Sequence, residues 1–137
     1  MQINNKQTIC NKDFFFFLVP FDTWIYGNVI LDLTFESQLS DPTSTEFQSL
    51  KMEIGGPLQN LFCRSFPCCS VSINGFRHGS TIAEFLVAIA RGALSDCDIT
   101  QRLISQMNSL PLTIGTIFVE PGRFSAGKLV CCFLTLS

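Results

Sequence analysis

The pair Gly79-Ser80 is where this chain has the means for chemistry. Glycine adopts backbone angles closed to other residues, and the Ser80 hydroxyl lies within reach of the Gly79 carbonyl carbon. The peptide bond between them is therefore open to attack by its own side chain. His78 directly precedes the pair and is the only histidine in the sequence. It can serve as a helping base, or it can stand solvated in a turn. A Gly-Ser pair is also commonplace in turns and by itself describes an ordinary loop, so the elements that position it decide the matter. Ser70-Val71-Ser72-Ile73-Asn74 alternates polar and apolar residues, and Thr81 to Ala90 is a β-branched and apolar run. This pattern predicts two strands meeting at a hairpin turn over Gly79-Ser80.

Composition removes most other chemistry. A chain of 137 residues, 47% hydrophobic and 15% charged, fits one domain able to bury a core. A net charge of −2 without a basic cluster gives no electrostatic reason for nucleic acid or an anionic membrane as partner. There is no GxGxxG, Walker loop or HExxH, and a single histidine rules out any mechanism or metal site that needs two. No cofactor and no metal is expected. Of the seven cysteines, Cys63, Cys68, Cys69 and Cys97 lie in the central region. Disulfides in an oxidising compartment are the expectation, with pairing that the sequence does not specify. A zinc site built from the same four thiolates is the rival, disfavoured by the adjacent Cys68-Cys69 and the lack of paired C-x₂-C spacing. The odd total leaves at least one thiol free or bonded between chains. No Asn-x-Ser/Thr sequon occurs, so N-glycosylation gives no independent support for secretion.

Along the chain, Met1 to Asp13 is polar, and Phe14 to Phe21 is an apolar block too short to span a bilayer and without the cleavage pattern of a signal peptide. Four successive phenylalanines suit a translated splice acceptor tract, and Gly127-Lys128-Leu129 suits a translated splice donor. Residues 1–24 are accordingly expected to be a leader outside the domain, either linker or mistranslated sequence. Residues 25–124 are expected to form the domain, and 125–137 a tail outside it. Val29 to Phe35 reads as the first strand, burying Val29, Leu31, Leu33 and Phe35. Asp41-Pro42-Thr43-Ser44-Thr45-Glu46 signals a helix start, with Thr43 and Glu46 as a capping box. Phe47, Leu50, Ile54, Leu58 and Leu61 share a helical face, but Gly55-Gly56-Pro57 predicts two short helices rather than one. The cysteines of Cys63 to Cys69 are expected to pin the helix end to a neighbour. Ala83, Phe85, Val87 and Ile89 should point inward. Asp96 or Asp98 should cap a further helix whose apolar face is Ile99, Leu103, Ile104 and Met107. Leu112 to Val119 reads as the last strand. The order β, α, α, β, β, α, β predicts an α+β fold: a ferredoxin-like sandwich, an antiparallel four-stranded sheet with helices packed on one face.

Over roughly Ile25 to Phe124 the chain resembles the SEA domain, the module named for sperm protein, enterokinase and agrin. That module occurs in transmembrane mucins, adhesion receptors, membrane-anchored serine proteases and matrix proteoglycans. Leu33-Thr34-Phe35 through Leu39-Ser40-Asp41-Pro42-Thr43-Ser44-Thr45-Glu46-Phe47-Gln48-Ser49-Leu50 is similar to its strand, Asp-Pro helix start and aromatic-x-x-Leu. Phe76-Arg77-His78-Gly79-Ser80-Thr81-Ile82-Ala83 is similar to its Phe-Arg-x-Gly-Ser followed by β-branched residues, and Leu112-Thr113-Ile114 to the lead of its final strand. The resemblance implies an extracellular module that cleaves itself between Gly79, which supplies the attacked carbonyl, and Ser80, the nucleophile. An N→O acyl shift to an ester would precede hydrolysis, with His78 as the one candidate helper. Folding strain would stand in for a catalytic triad, and the partner would be the chain's own cleaved half in a non-covalent heterodimer. Thr81-Ile82-Ala83 departs from the family's Val-rich triplet. Its smaller Ala83 predicts a less firmly registered strand and a smaller load of strain.

Two other readings compete. An uncleaved SEA domain would act as a structural spacer or as an interaction module for extracellular matrix, cell-surface proteins or glycans. An unrelated ferredoxin-like binding domain would need a ligand surface that the sequence does not display.

Overall fold

A computed structural model describes residues 7–12 and 15–124. The expected tail, with Gly127-Lys128-Leu129, lies outside the described residues, as does Phe14. Strands β1 (Gln7–Lys12) and β2 (Phe15–Pro20) pair antiparallel as a hairpin. The main sheet consists of β3 (Thr23–Leu31), β4 (Cys69–Arg77), β5 (Ile82–Ile89), β6 (Leu112–Ile114) and β7 (Ile117–Phe124). Its order is β4-β5-β3-β7-β6, every pairing antiparallel. Helices α1 (Thr45–Cys63) and α2 (Asp96–Met107) complete an α+β fold.

Strand periodicity builds the core. Val29, Leu31, Ala83, Phe85, Val87, Ile89 and Val119 are wholly buried and meet Ile54, Leu58 and Phe62 of α1 and Ile99 and Leu103 of α2 in one cluster. The inward set expected for β5 is the set observed. Residues of opposite parity on the other sheet face stay exposed, among them Trp24, Tyr26 and Phe118.

Several expectations need correction. The sheet has five strands, not four. The run read as one last strand turns at Gly115, where φ is +62°, and folds into the β6–β7 hairpin with Ile114 opposite Ile117. The first strand runs over Thr23–Leu31 rather than Val29 to Phe35; Leu33 and Phe35 lie beyond its end yet pack partly buried against the core. Alternation identified the buried parity but not where pairing with β5 stops.

Gly55-Gly56-Pro57 does not split α1, which runs unbroken for 19 residues with Pro57 inside. Each mid-helix glycine costs about 1 kcal/mol relative to alanine, and an interior proline about 3 kcal/mol. Burial of Phe47, Leu50 and Ile54 before the break and Leu58, Leu61 and Phe62 after it offsets that cost, at roughly 1.5–3 kcal/mol per large apolar side chain.

The caps are serines. Ser44, not Thr43, caps α1: its Oγ accepts from the Phe47 amide at 3.0 Å. Thr43 instead donates its amide and hydroxyl to Asp41 Oδ1 at 2.9 and 2.7 Å, forming the turn before the helix. Ser95, rather than either aspartate, caps α2, and Asp98 closes a reciprocal capping box with it. Ile99, Leu103 and Met107 are buried as expected, while Ile104 is only half-buried. A disulfide joins Cys63, the last residue of α1, to Cys69, the first of β4. The helix end is thus pinned as expected, and those two sulfurs are not thiolate ligands. Cys68 and Cys97 are also disulfide-bonded.

Packing at Gly27 gives a first prediction. A Cβ there would lie 2.7–2.9 Å from the Phe124 and Phe85 rings, which fill the space the glycine leaves. Gly27→Ala should lower the unfolding free energy by about 1–3 kcal/mol in urea titration. A second concerns acid. Hydrogen bonds from the Ser95 amide and hydroxyl, with Arg102 adding a smaller pull, hold Asp98 below the usual carboxylate range. The Thr43 hydroxyl and then its amide do the same for Asp41. A depressed folded-state pKa contributes stability that is complete above the unfolded value of about 4 and is lost as pH falls through the folded value. The urea midpoint should therefore fall below pH 4, and Asp98→Asn should flatten that acid limb.

Candidate functional site

The site is the turn His78–Thr81 between β4 and β5, and its flanks set its geometry. Arg77 pairs with Ile82, Phe76 with Ala83, and Gly75 with Glu84, whereas one step earlier Ile73 pairs with Phe85. Asn74 is the extra residue of a β-bulge. The bulge changes the parity of β4, so that Ile73 and Phe76, three residues apart, both point into the core. A bulge also bends and over-twists its strand, here just before the turn. Phe76 is held by an edge-on contact with Phe47, ring centroids 5.2 Å apart. Arg77 Nε and Glu84 Oε2 pair across the hairpin at 2.9 Å, about half exposed; such a pair contributes little energy.

The far side is held more tightly. Thr81 has no exposed surface. Its Oγ1 donates to the Leu33 carbonyl at 2.9 Å, and its own carbonyl accepts from the Leu31 amide at 2.9 Å. Residue 81 is thus bound to the chain leaving β3, 48 positions away in sequence. Ala83 is wholly buried and paired on both sides, with Phe76 and with Val29. Its small side chain is thus placed between two neighbouring strands.

Between these flanks Gly79 has φ of +99° and Ser80 of +46°, and Ser80 is the one described non-glycine residue at positive φ. For an L-residue this conformation costs about 1–2 kcal/mol. A Cβ added at Gly79 would meet nothing within 4 Å, so the glycine serves its backbone angle and not a tight space. Both residues are exposed, which leaves the Gly79–Ser80 peptide open to water.

His78 is exposed and its ring rests on Phe35, centroids 4.3 Å apart and tilted by 36°. Among the described residues no hydrogen bond joins it to Ser80. The expected pair Gly79 and Ser80 therefore sits together in the strained turn, while His78 packs beside it. Sequence reasoning missed Thr81 as an anchor and Asn74 as a bulge. A hydroxyl at the head of a β-branched run was the available sign of the first; a shift of apolar spacing from two to three at Ile73 and Phe76 was that of the second.

No family model matches the chain. Mucin-1 of Mesocricetus auratus is 30% identical over 89 residues, which are 65% of this chain and 12% of that protein. The chain thus spans a small part of the length of the relative it matches.

Thr81→Val keeps the shape but leaves the partly buried Leu33 carbonyl without its donor. Urea unfolding should show a loss of about 1–3 kcal/mol, and Thr81→Ser, which restores the hydroxyl, should recover part of it.

Proposed function

We propose that residues 25–124 form an extracellular SEA module of a larger membrane-associated or matrix protein, and that its chemistry is one self-cleavage between Gly79 and Ser80. The observation that carries this reading is the pair of consecutive positive φ angles at those two residues, in a turn tied at both ends to the sheet. The similarity to Mucin-1 supports an extracellular, mucin-like setting, as do the disulfide-bonded cysteines, which persist in oxidising compartments. No helix among the described residues is long and apolar enough to cross a membrane.

In the mechanism, Ser80 Oγ adds to the Gly79 carbonyl carbon, the C–N bond breaks, and the hydroxyl proton ends on the freed Ser80 amine. Water then adds to the resulting ester, releasing the Gly79 carboxylate and restoring the Ser80 hydroxyl. The left-handed conformation at Ser80, at about 1–2 kcal/mol, raises the ground state of the turn. At about tenfold in rate per 1.4 kcal/mol, a few such features are worth orders of magnitude. His78, its ring against Phe35, is the one candidate helper beside the bond.

Topology accounts for the fate of the halves. Cleavage leaves β3, α1 and β4 on one fragment and β5, α2, β6 and β7 on the other. In the order β4-β5-β3-β7-β6, β5 lies between two strands of the first fragment, and β3 between two of the second. The fragments are interleaved and share one core, so the sheet and core hold them together as a heterodimer until the domain unfolds.

Intact mass of the folded domain under denaturing, reducing conditions tests this. Two chains meeting between Gly79 and Ser80, replaced by one full-length chain in Ser80→Ala, are expected. A single full-length mass from well-folded parent protein refutes self-cleavage and favours the uncleaved spacer or interaction module.

A further inference from the structure

Strand β4 is an edge of the main sheet among the described residues, and α1 runs beside that edge. The Val71 amide donates to Gln59 Oε1 of α1 at 3.2 Å, so it faces away from β5. Antiparallel strands alternate between residues that bond their partner and residues that face away. Ile73, of the same parity and ahead of the bulge, therefore also turns its backbone outward. Between this edge and α1 lies an open groove of about 400 Å³, lined by Lys51, Met52, Gly55, Gly56, Gln59 and Val71. Met52 is 78% exposed, the most exposed large apolar residue described.

The groove exists because two successive helical residues lack side chains, and the fold does not require that. A Cβ at Gly56 would meet nothing within 4 Å, and one at Gly55 only Ile73 Cγ1 at an ordinary 3.8 Å. Neither glycine has positive φ. A local rule broken without a packing reason marks a functional position. Outward backbone groups on a strand edge are matched by another extended backbone, and a helix flanking such an edge supplies the side-chain pocket for an added strand.

We infer that an extended peptide segment of a partner binds here as a sixth strand on β4, displacing Gln59 from the Val71 amide. An apolar side chain of the peptide seats over Gly55-Gly56 against Met52. Lys51, the only charge in the groove and without a carboxylate partner among the described residues, calls for an acidic residue at its end. A second copy of this chain fits less well, since its own β4 edge is already flanked by its own α1. The site lies apart from Gly79-Ser80 and does not depend on cleavage there.

The test is amide NMR of the folded, full-length chain titrated with the capped peptide Asp-Thr-Val-Thr-Val, whose Asp shares a face with its valines and reaches Lys51 in antiparallel register. Saturable shifts of the Val71 and Ile73 amides are expected, with the β6 amides unmoved. Proline at the central Val, whose amide bonds the β4 edge, should abolish the shifts, and Lys in place of Asp should weaken binding about threefold. Gly56→Leu fills the groove and should weaken binding about tenfold or more, with a Tm at or above the parent's because leucine is the better helix former. The proposal is overturned by no saturable shift up to about 1 mM peptide, a weak affinity by any standard. Undiminished binding to Gly56→Leu overturns it too. So do Val71 and Ile73 shifts that follow protein concentration without peptide, which would assign the edge to a second copy.

Discussion

The placement of β5 between β4 and β3 is the constraint on which the rest depends. Its inward residues Ala83, Phe85, Val87 and Ile89 are wholly buried, so the strand cannot slide by one residue without turning that whole face out to water. With β5 fixed, Ile82 is opposite Arg77 on one side and Ile30 on the other, and the chain has four residues in which to reverse. Thr81 then gives up conformational freedom to Leu31 and Leu33. The reversal falls on Gly79 and Ser80, and the left-handed backbone there follows from what their neighbours cannot yield.

The site's mechanics thus come from long-range pairing. The hydrogen bonds that hold Thr81 reach to the exit of β3, and the bulge that twists β4 is set by the need to bury both Ile73 and Phe76. Exposed interactions around the turn, such as the Arg77–Glu84 pair, are of the kind that solvent screens and contribute little. The left-handed backbone at Gly79 and Ser80 is exposed to water while the residues that hold it are buried.

Helix α1 shows burial overriding local preference. Its Gly-Gly-Pro centre is unfavourable by propensity, yet apolar residues on both sides of the break face one core, and the disulfide Cys63–Cys69 ties its end to β4. One face of the helix is thereby fixed by packing. The flank beside the β4 edge is bare, an asymmetry that core formation alone does not require.

Local information was enough for much of this protein. Alternation in β5, the turn residues Gly79-Ser80 and the apolar faces of both helices are written in short stretches, because each depends on spacing within one element; that a cysteine would pin the end of α1 was legible too, but not that Cys63 pairs with Cys69. Element ends and continuity were not local. The merging of two expected helices depended on a core assembled from distant strands, and the splitting of the last strand on a turn at Gly115. The caps fell to Ser44 and Ser95 although neighbouring residues offered similar oxygens. The sequence by itself determined where the β4–β5 turn falls and that a glycine and a serine occupy it. Only the tertiary structure decided that these two residues are held at positive φ, because that depends on contacts such as Thr81 to Leu33, whose partners lie far apart along the chain and meet only when the sheet is complete.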